Sequence, residues 1–236
     1  MKDIKRKLLK VKIVALFLIL SIFLMSGCGT VFSSKEKEGV IHYQLEYLVS
    51  SDSIPVVSLL PKKMDIFFKN NNVHQKIQGF GGLFYMGGVK NTKDSTMAAM
   101  LKIMGKKYLH KETHTQHVKF GYDSYPKMIF EKTNEKKIIG GLPCYKVRVK
   151  FPNHEMKDFD LYYTKKIRLK NPNWNNPFKE IDGVLMDYEI SIFGIPTHVS
   201  AENVEFIRID DSEFELPTDF KVVTQKEMEE TIDELI

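Results

Sequence analysis

The sequence lacks most of what would announce a chemistry. Beyond its first 27 residues it has no basic surplus: that stretch holds six of the 35 Lys and Arg and one of the 30 Asp and Glu, which leaves 29 of each from residue 28 onward. A standing cationic face for phosphate backbones is therefore missing, which excludes nucleic acid as a partner. The glycine run Gly79-Phe-Gly-Gly-Leu-Phe-Tyr-Met-Gly-Gly88 lacks the Lys-Ser/Thr ending of a phosphate loop, and its spacing fits no dinucleotide fingerprint. Cysteine is scarce, with only Cys28 and Cys144, and no catalytic signature stands out. The expectation is a non-catalytic protein without a cofactor.

What is present begins at the start of the chain. Lys2, Lys5, Arg6, Lys7, Lys10 and Lys12 precede the apolar run Ile13 to Met25, followed by the small residues Ser26 and Gly27. This is the layout of a secretory signal peptide, with a run too short for a comfortable transmembrane span. The arrangement Leu24-Met25-Ser26-Gly27-Cys28 resembles the lipobox of bacterial lipoproteins, with Met25 where Leu is commoner. That resemblance implies cleavage before Cys28 and attachment of acyl chains to it, a firm membrane anchor without a spanning helix. Gly29 in place of the Asp of inner-membrane retention implies an outer-membrane address facing the periplasm, and Lys35-Glu36-Lys37-Glu38 loosely resembles a surface-export signal. If Cys28 is acylated, Cys144 has no disulfide partner and reads as a small buried hydrophobe.

Three regions follow: a signal peptide over 1–27, a lipidated tether over 28–38 rich in small and charged residues, and a folded domain over 39–236. Its 43% hydrophobic and 11% aromatic content supports a core. Val40 to Val49 alternates Ile41, Tyr43, Leu45 and Tyr47 against His42, Gln44 and Glu46, the period of a half-buried strand. The runs 62–70, 145–151, 158–169, 184–193 and 202–210 repeat the pattern. Strands in series, without helices at fixed spacing between them, predict an antiparallel sheet. Thr224 followed by Glu227 is the capping box of a final helix.

Two stretches read two ways. Met97, Met100, Leu101 and Met104 share a helical face, yet Met104-Gly105-Lys106-Lys107 also reads as the turn of a hairpin; a hairpin is expected. His110, His114 and His117 would form three corners of a zinc site on a helix. Thr113, Thr115, Tyr108 and Val118 favour a strand, which puts His117 on the other side from His110 and His114, so no metal is assigned. The glycine run reads best as a flap or bent hairpin with Phe80, Leu83, Phe84 and Tyr85 reaching into apolar space, the candidate gate of a ligand site. The loop Asn171 to Phe178, with the single tryptophan, is expected to pin itself to the body.

The order of "GVIHYQLEY", "PKKMDIFFKNN", "MLKIMGKKYLHK", "TNEKKIIGGLPCYKVRV", "LYYTKKI", "GVLMDYEI" and "IDDSEFELPTDFKVVTQKEMEE" resembles a family of Bacteroidota-type lipoproteins with a LolA-like fold, within the outer-membrane lipoprotein carrier superfamily. The resemblance covers about Gly39 to Thr231. It implies a mainly β (α+β) domain: an open antiparallel β half-barrel with a few packed helices, including a C-terminal one. It also implies a concave apolar face that binds a lipid or other apolar ligand. The alternatives are an envelope interaction lipoprotein whose hollow is filled by its own side chains, and a zinc site around the three histidines.

Overall fold

Alternation becomes a strand when one face can be buried, and the computed structural model shows this first in β1 (Glu38–Tyr47), where Ile41, Tyr43 and Leu45 are buried. The structure describes residues 37–50, 55–93, 96–113, 125–153, 156–174, 176–192 and 194–233. The expected signal peptide, Cys28 and most of the expected tether lie outside them.

From β1 the chain runs as an antiparallel meander through β2 (Lys63–Lys69), β3 (Asn72–Gly79), β4 (Phe84–Asn91), β5 (Thr96–Ile103) and β6 (Lys106–Thr113). A second meander comprises β7 (Ile129–Ile139), β8 (Leu142–Lys150), β9 (Phe159–Thr164), β10 (Val184–Ile192) and β11 (Ile195–Glu205). Antiparallel pairing of β1 with β11 joins the two, and a short β12 (Lys221–Val222) adds in parallel to β6. The result is one open twelve-stranded sheet with β12 and β7 at its edges. Helix α1 (Gln225–Asp233) ends the described chain. The mainly β fold, an open antiparallel sheet with a C-terminal helix, is therefore observed; among the described residues the helical content besides α1 consists of 3-10 turns at Pro55–Leu59, Phe80–Gly82 and Asp211–Phe214.

Residues 96–113 form the expected hairpin. Met104 and Gly105 both have positive φ, 45° and 84°, as a two-residue turn matched to strand twist requires. Leu101 joins the main core while Met100 is buried on the opposite face. Burial of both faces erases alternation, which is why the segment mimics a helix in sequence. The run 202–210 is corrected: β11 starts at Ile195 and ends at Glu205, so Phe206–Asp210 lies beyond it. β7 is mostly exposed along its length, so no apolar periodicity marks it.

The larger core covers the inner face. The Tyr43 hydroxyl donates to the Leu185 carbonyl at 2.7 Å, tying β1 to β10. The connection between β9 and β10 folds over this face through Phe178, fully buried and edge-on to Phe130, Phe159 and Tyr188 at centroid distances of 6.4, 6.2 and 5.9 Å. Buried Asn173 donates to the Ile181 and Gly183 carbonyls. The loop is thus pinned as expected, by Phe178 and Asn173, while Trp174 is only half-buried.

After β11 the chain crosses to the outer face as a strap. Lys69 Nζ donates to the Ile209 carbonyl at 2.7 Å and Asn91 Nδ2 to that of Phe214 at 3.2 Å. At β12 it rounds the sheet edge, and α1 then returns Met228 to the main core. The capping box is formed: the Thr224 N–H donates to Glu227 Oε2 at 2.8 Å and the Glu227 N–H to Thr224 Oγ1 at 3.2 Å.

Tyr43→Phe removes the side-chain donor to the Leu185 carbonyl, so urea unfolding should show a loss of about 1 kcal/mol with an unchanged far-UV circular dichroism spectrum.

Candidate functional site

The expected ligand hollow, the inner face, is filled by the protein's own side chains beneath the β9–β10 loop. The cavity bounded there by Tyr43, Ile66, Gln75, Gly88, Trp174, Tyr188 and their neighbours measures about 50 Å³, far below the roughly 300–1,000 Å³ of small-molecule sites. Lys90, which shares this face, is 8% exposed; its ammonium donates to the Lys170 carbonyl at 3.2 Å, and burial lowers its pKa.

The four gate residues part company at the turn between β3 and β4. Phe80, Gly81 and Gly82 have φ of 55°, 62° and 87°, a run of left-handed backbone that only glycine adopts without cost. It throws Phe80 and Leu83 outward, 54% and 60% exposed. Phe84 packs into the main core, and Tyr85 turns to the outer face. Phe84 and Tyr85 therefore pack on apolar clusters of opposite faces, while Phe80 and Leu83 point to solvent. Phe80 and Leu83 are instead joined by Met104, 87% exposed at the tip of the next hairpin, whose N–H donates to the Leu83 carbonyl at 3.1 Å.

The outer face carries a larger depression that sequence reasoning missed. A groove of about 570 Å³ lies between β3, β4 and β5 on one side and the strap on the other. Behind it Val89, Ala98, Met100 and Leu109 form a second, smaller core, against which Tyr85, Leu216 and Phe220 pack. Gly87 is needed here: a Cβ at that position would come within 2.1 Å of the Tyr85 hydroxyl and 2.8 Å of the Gln75 carbonyl. The missing side chain lets the tyrosine ring lie across the strand.

At the groove wall, His74 Nδ1 sits 2.7 Å from the Glu213 carbonyl and 2.9 Å from its carboxylate, and Nε2 sits 2.7 Å from the Tyr85 hydroxyl. Lys76 Nζ pairs with the same carboxylate and lies over the Phe67 ring. A neutral imidazole with its proton on Nδ1 donates to Glu213 and accepts from Tyr85. Burial, then the Lys76 charge, lowers the His74 pKa against the raising effect of Glu213; burial raises that of Tyr85. The network fastens the strap to β3 and β4.

Of the histidine cluster, His110 lies in β6 with Nδ1 3.0 Å from the Val223 carbonyl and Nε2 3.2 Å from Glu112 Oε1; His114 and His117 lie outside the described residues. Cys144 is fully buried, its Sγ–H donates to the Leu142 carbonyl, and burial pushes its pKa up to about 11, the opposite of an activated nucleophile. Among the described residues no helix is long and apolar enough to cross a membrane. The chain matches no protein-family model, and no curated protein is significantly similar to it.

Two outcomes follow from these environments. His74 binds its proton less readily in the folded chain than in the unfolded one, so its contribution to stability is complete above the unfolded value of 6.5 and is lost as pH falls through and below it. Urea midpoints should drop between pH 7.5 and 5.5, and His74→Gln should flatten that slope. Cys144 should resist a thiol reagent at pH 8 in the native protein and react fully in 6 M guanidinium chloride.

Proposed function

We propose that the protein is a non-catalytic envelope lipoprotein, anchored through acyl chains on Cys28, that binds a lipid or other apolar ligand. The observation that carries this reading is the apolar cluster on the hairpin tips. Phe80, Leu83 and Met104 are large, adjacent and exposed, a combination that marks interaction surfaces. Lys106 and Lys107 follow directly on the same hairpin as Met104, and Lys102 pairs with Lys107 in the strand register. Apolar side chains ringed by lysines suit an anionic lipid surface, where each cation near the headgroups contributes about 1 kcal/mol and each buried methylene about 0.8 kcal/mol.

The tips are placed to be met from outside. β1 begins at Glu38, paired with Lys69, and reaches Met64 through Tyr43; Met64 in turn pairs with Ile77, near the turn that carries Phe80. The chain therefore enters the domain at the end opposite the tips. The inner-face cavity under the loop held by Phe178 measures about 50 Å³, so an acyl chain would enter at that place only by displacing the loop. That filled face favours the second reading, an envelope interaction lipoprotein that holds no ligand.

Vesicle flotation with residues 29–236 separates the two. The unlipidated body should float with phosphatidylglycerol vesicles, and Phe80→Ser/Leu83→Ser/Met104→Ser should reduce the bound fraction at least fivefold while leaving the unfolding midpoint unchanged. No flotation, together with a clean apo mass in native mass spectrometry, would sink lipid binding and leave the interaction reading. In the full chain, Cys28→Ala should move the protein from the membrane pellet to the soluble envelope fraction.

A further inference from the structure

The outer-face groove is unassigned by the tip contacts and differs from the inner cavity in size and chemistry. Its volume of about 570 Å³ falls within the range of small-molecule sites. The floor is apolar and backed by a buried core: Met100, the Tyr85 ring laid flat over Gly87, and on the strap side Leu216 and Phe220. Gly82, from the turn between Phe80 and Leu83, lines one end. The groove therefore opens at the exposed apolar tips.

Charge at that mouth is uneven. Lys102 lines the groove and makes no ion pair among the described residues; the nearby Asp219 carboxylate is held by Lys107. Lys76, the other lining lysine, is already paired with Glu213. Glu215 also lines the groove, but on the strap it lies between Glu213, level with His74, and Asp219, level with Lys107. It thus stands away from the mouth and leaves Lys102 free to meet an anion there.

We infer that this groove binds a single-chain amphiphile with an anionic head, the chain lying along Met100, Leu216 and Phe220 and the head at Lys102. The inference deepens the lipid reading by naming a ligand class and a place for it, on the face opposite to the filled interior. One acyl chain suits the narrow floor, and one unpaired ammonium suits one negative charge.

The test uses residues 29–236 labelled with ¹³C at the methionine methyls, titrated below micelle concentration with laurate, lysophosphatidylglycerol and dodecanol. The Met100 signal, identified with Met100→Leu, should shift saturably with both anions, and the tighter of the two indicates whether a fatty acid or a phospholipid supplies the chain. Lys102→Gln should weaken laurate binding roughly three- to tenfold and leave dodecanol unaffected, while Glu215→Gln changes neither. Leu216→Asp, on a half-buried strap residue, should abolish all three. Failure to shift Met100, or laurate and dodecanol binding alike with no effect of Lys102→Gln, would overturn the inference. Met104 reports on the tips separately: flotation with a silent Met100 overturns the groove and spares the membrane reading, and the reverse pattern does the opposite.

Discussion

Every feature of this domain depends on the ladder between β1 and β11. Each of the two meanders is built from hairpins whose partners are neighbours in sequence, and each alone would leave a long unpaired edge. Pairing Val40 with Glu205 through to Tyr47 with Thr197 turns two sheets into one and gives both a common inner face. The Tyr43 hydroxyl then reaches past β11 to Leu185, so β1 is fastened both to the strand beside it and to the one beyond. The β9–β10 loop, the strap and α1 all pack on surfaces that this junction defines.

Those surfaces are used differently. The inner face is closed by aromatic packing around Phe178 and by α1, and its polar groups, Lys90, Asn173 and His110, are taken up by backbone carbonyls. Among the described residues, the strap is what covers the outer face. Beside the strap a charged and hydrogen-bonded wall meets an apolar floor, and solvent reaches both. Of the cavity beneath the β9–β10 loop and the groove beside the strap, the groove on the outer face is the larger.

Much of the architecture was legible in the residues. Val40 to Val49 alternates cleanly because one side of β1 meets the core and the other does not. Thr224 and Glu227 announce their helix because a capping box is a local device. The outer groove had no such mark. It exists because Lys69, His74 and Asn91 hold the strap at Ile209, Glu213 and Phe214, pairs separated by 140, 139 and 123 residues, and no short window contains both partners. The glycine run bends the chain between β3 and β4, but its two ends act differently. Gly81 and Gly82 reverse the chain and eject Phe80 and Leu83, while Gly87 makes room for a tyrosine ring two residues away. A pattern of glycines and aromatics does not say which aromatic is thrown out and which is laid down.

The junction of β1 with β11 also bears on how the chain reaches this state. The first strand of the domain sits mid-sheet, and the neighbour that completes it lies some 160 residues later. Until β11 is available, β1 has an open hydrogen-bonding edge, and closing so large a loop must precede the contacts that reward it. Such a topology folds slowly and exposes apolar strand edges while it does so. A chain emerging from its N-terminus would present the most vulnerable strand first and protect it near the end, so the period between these events is where a chaperone would have the most effect on yield.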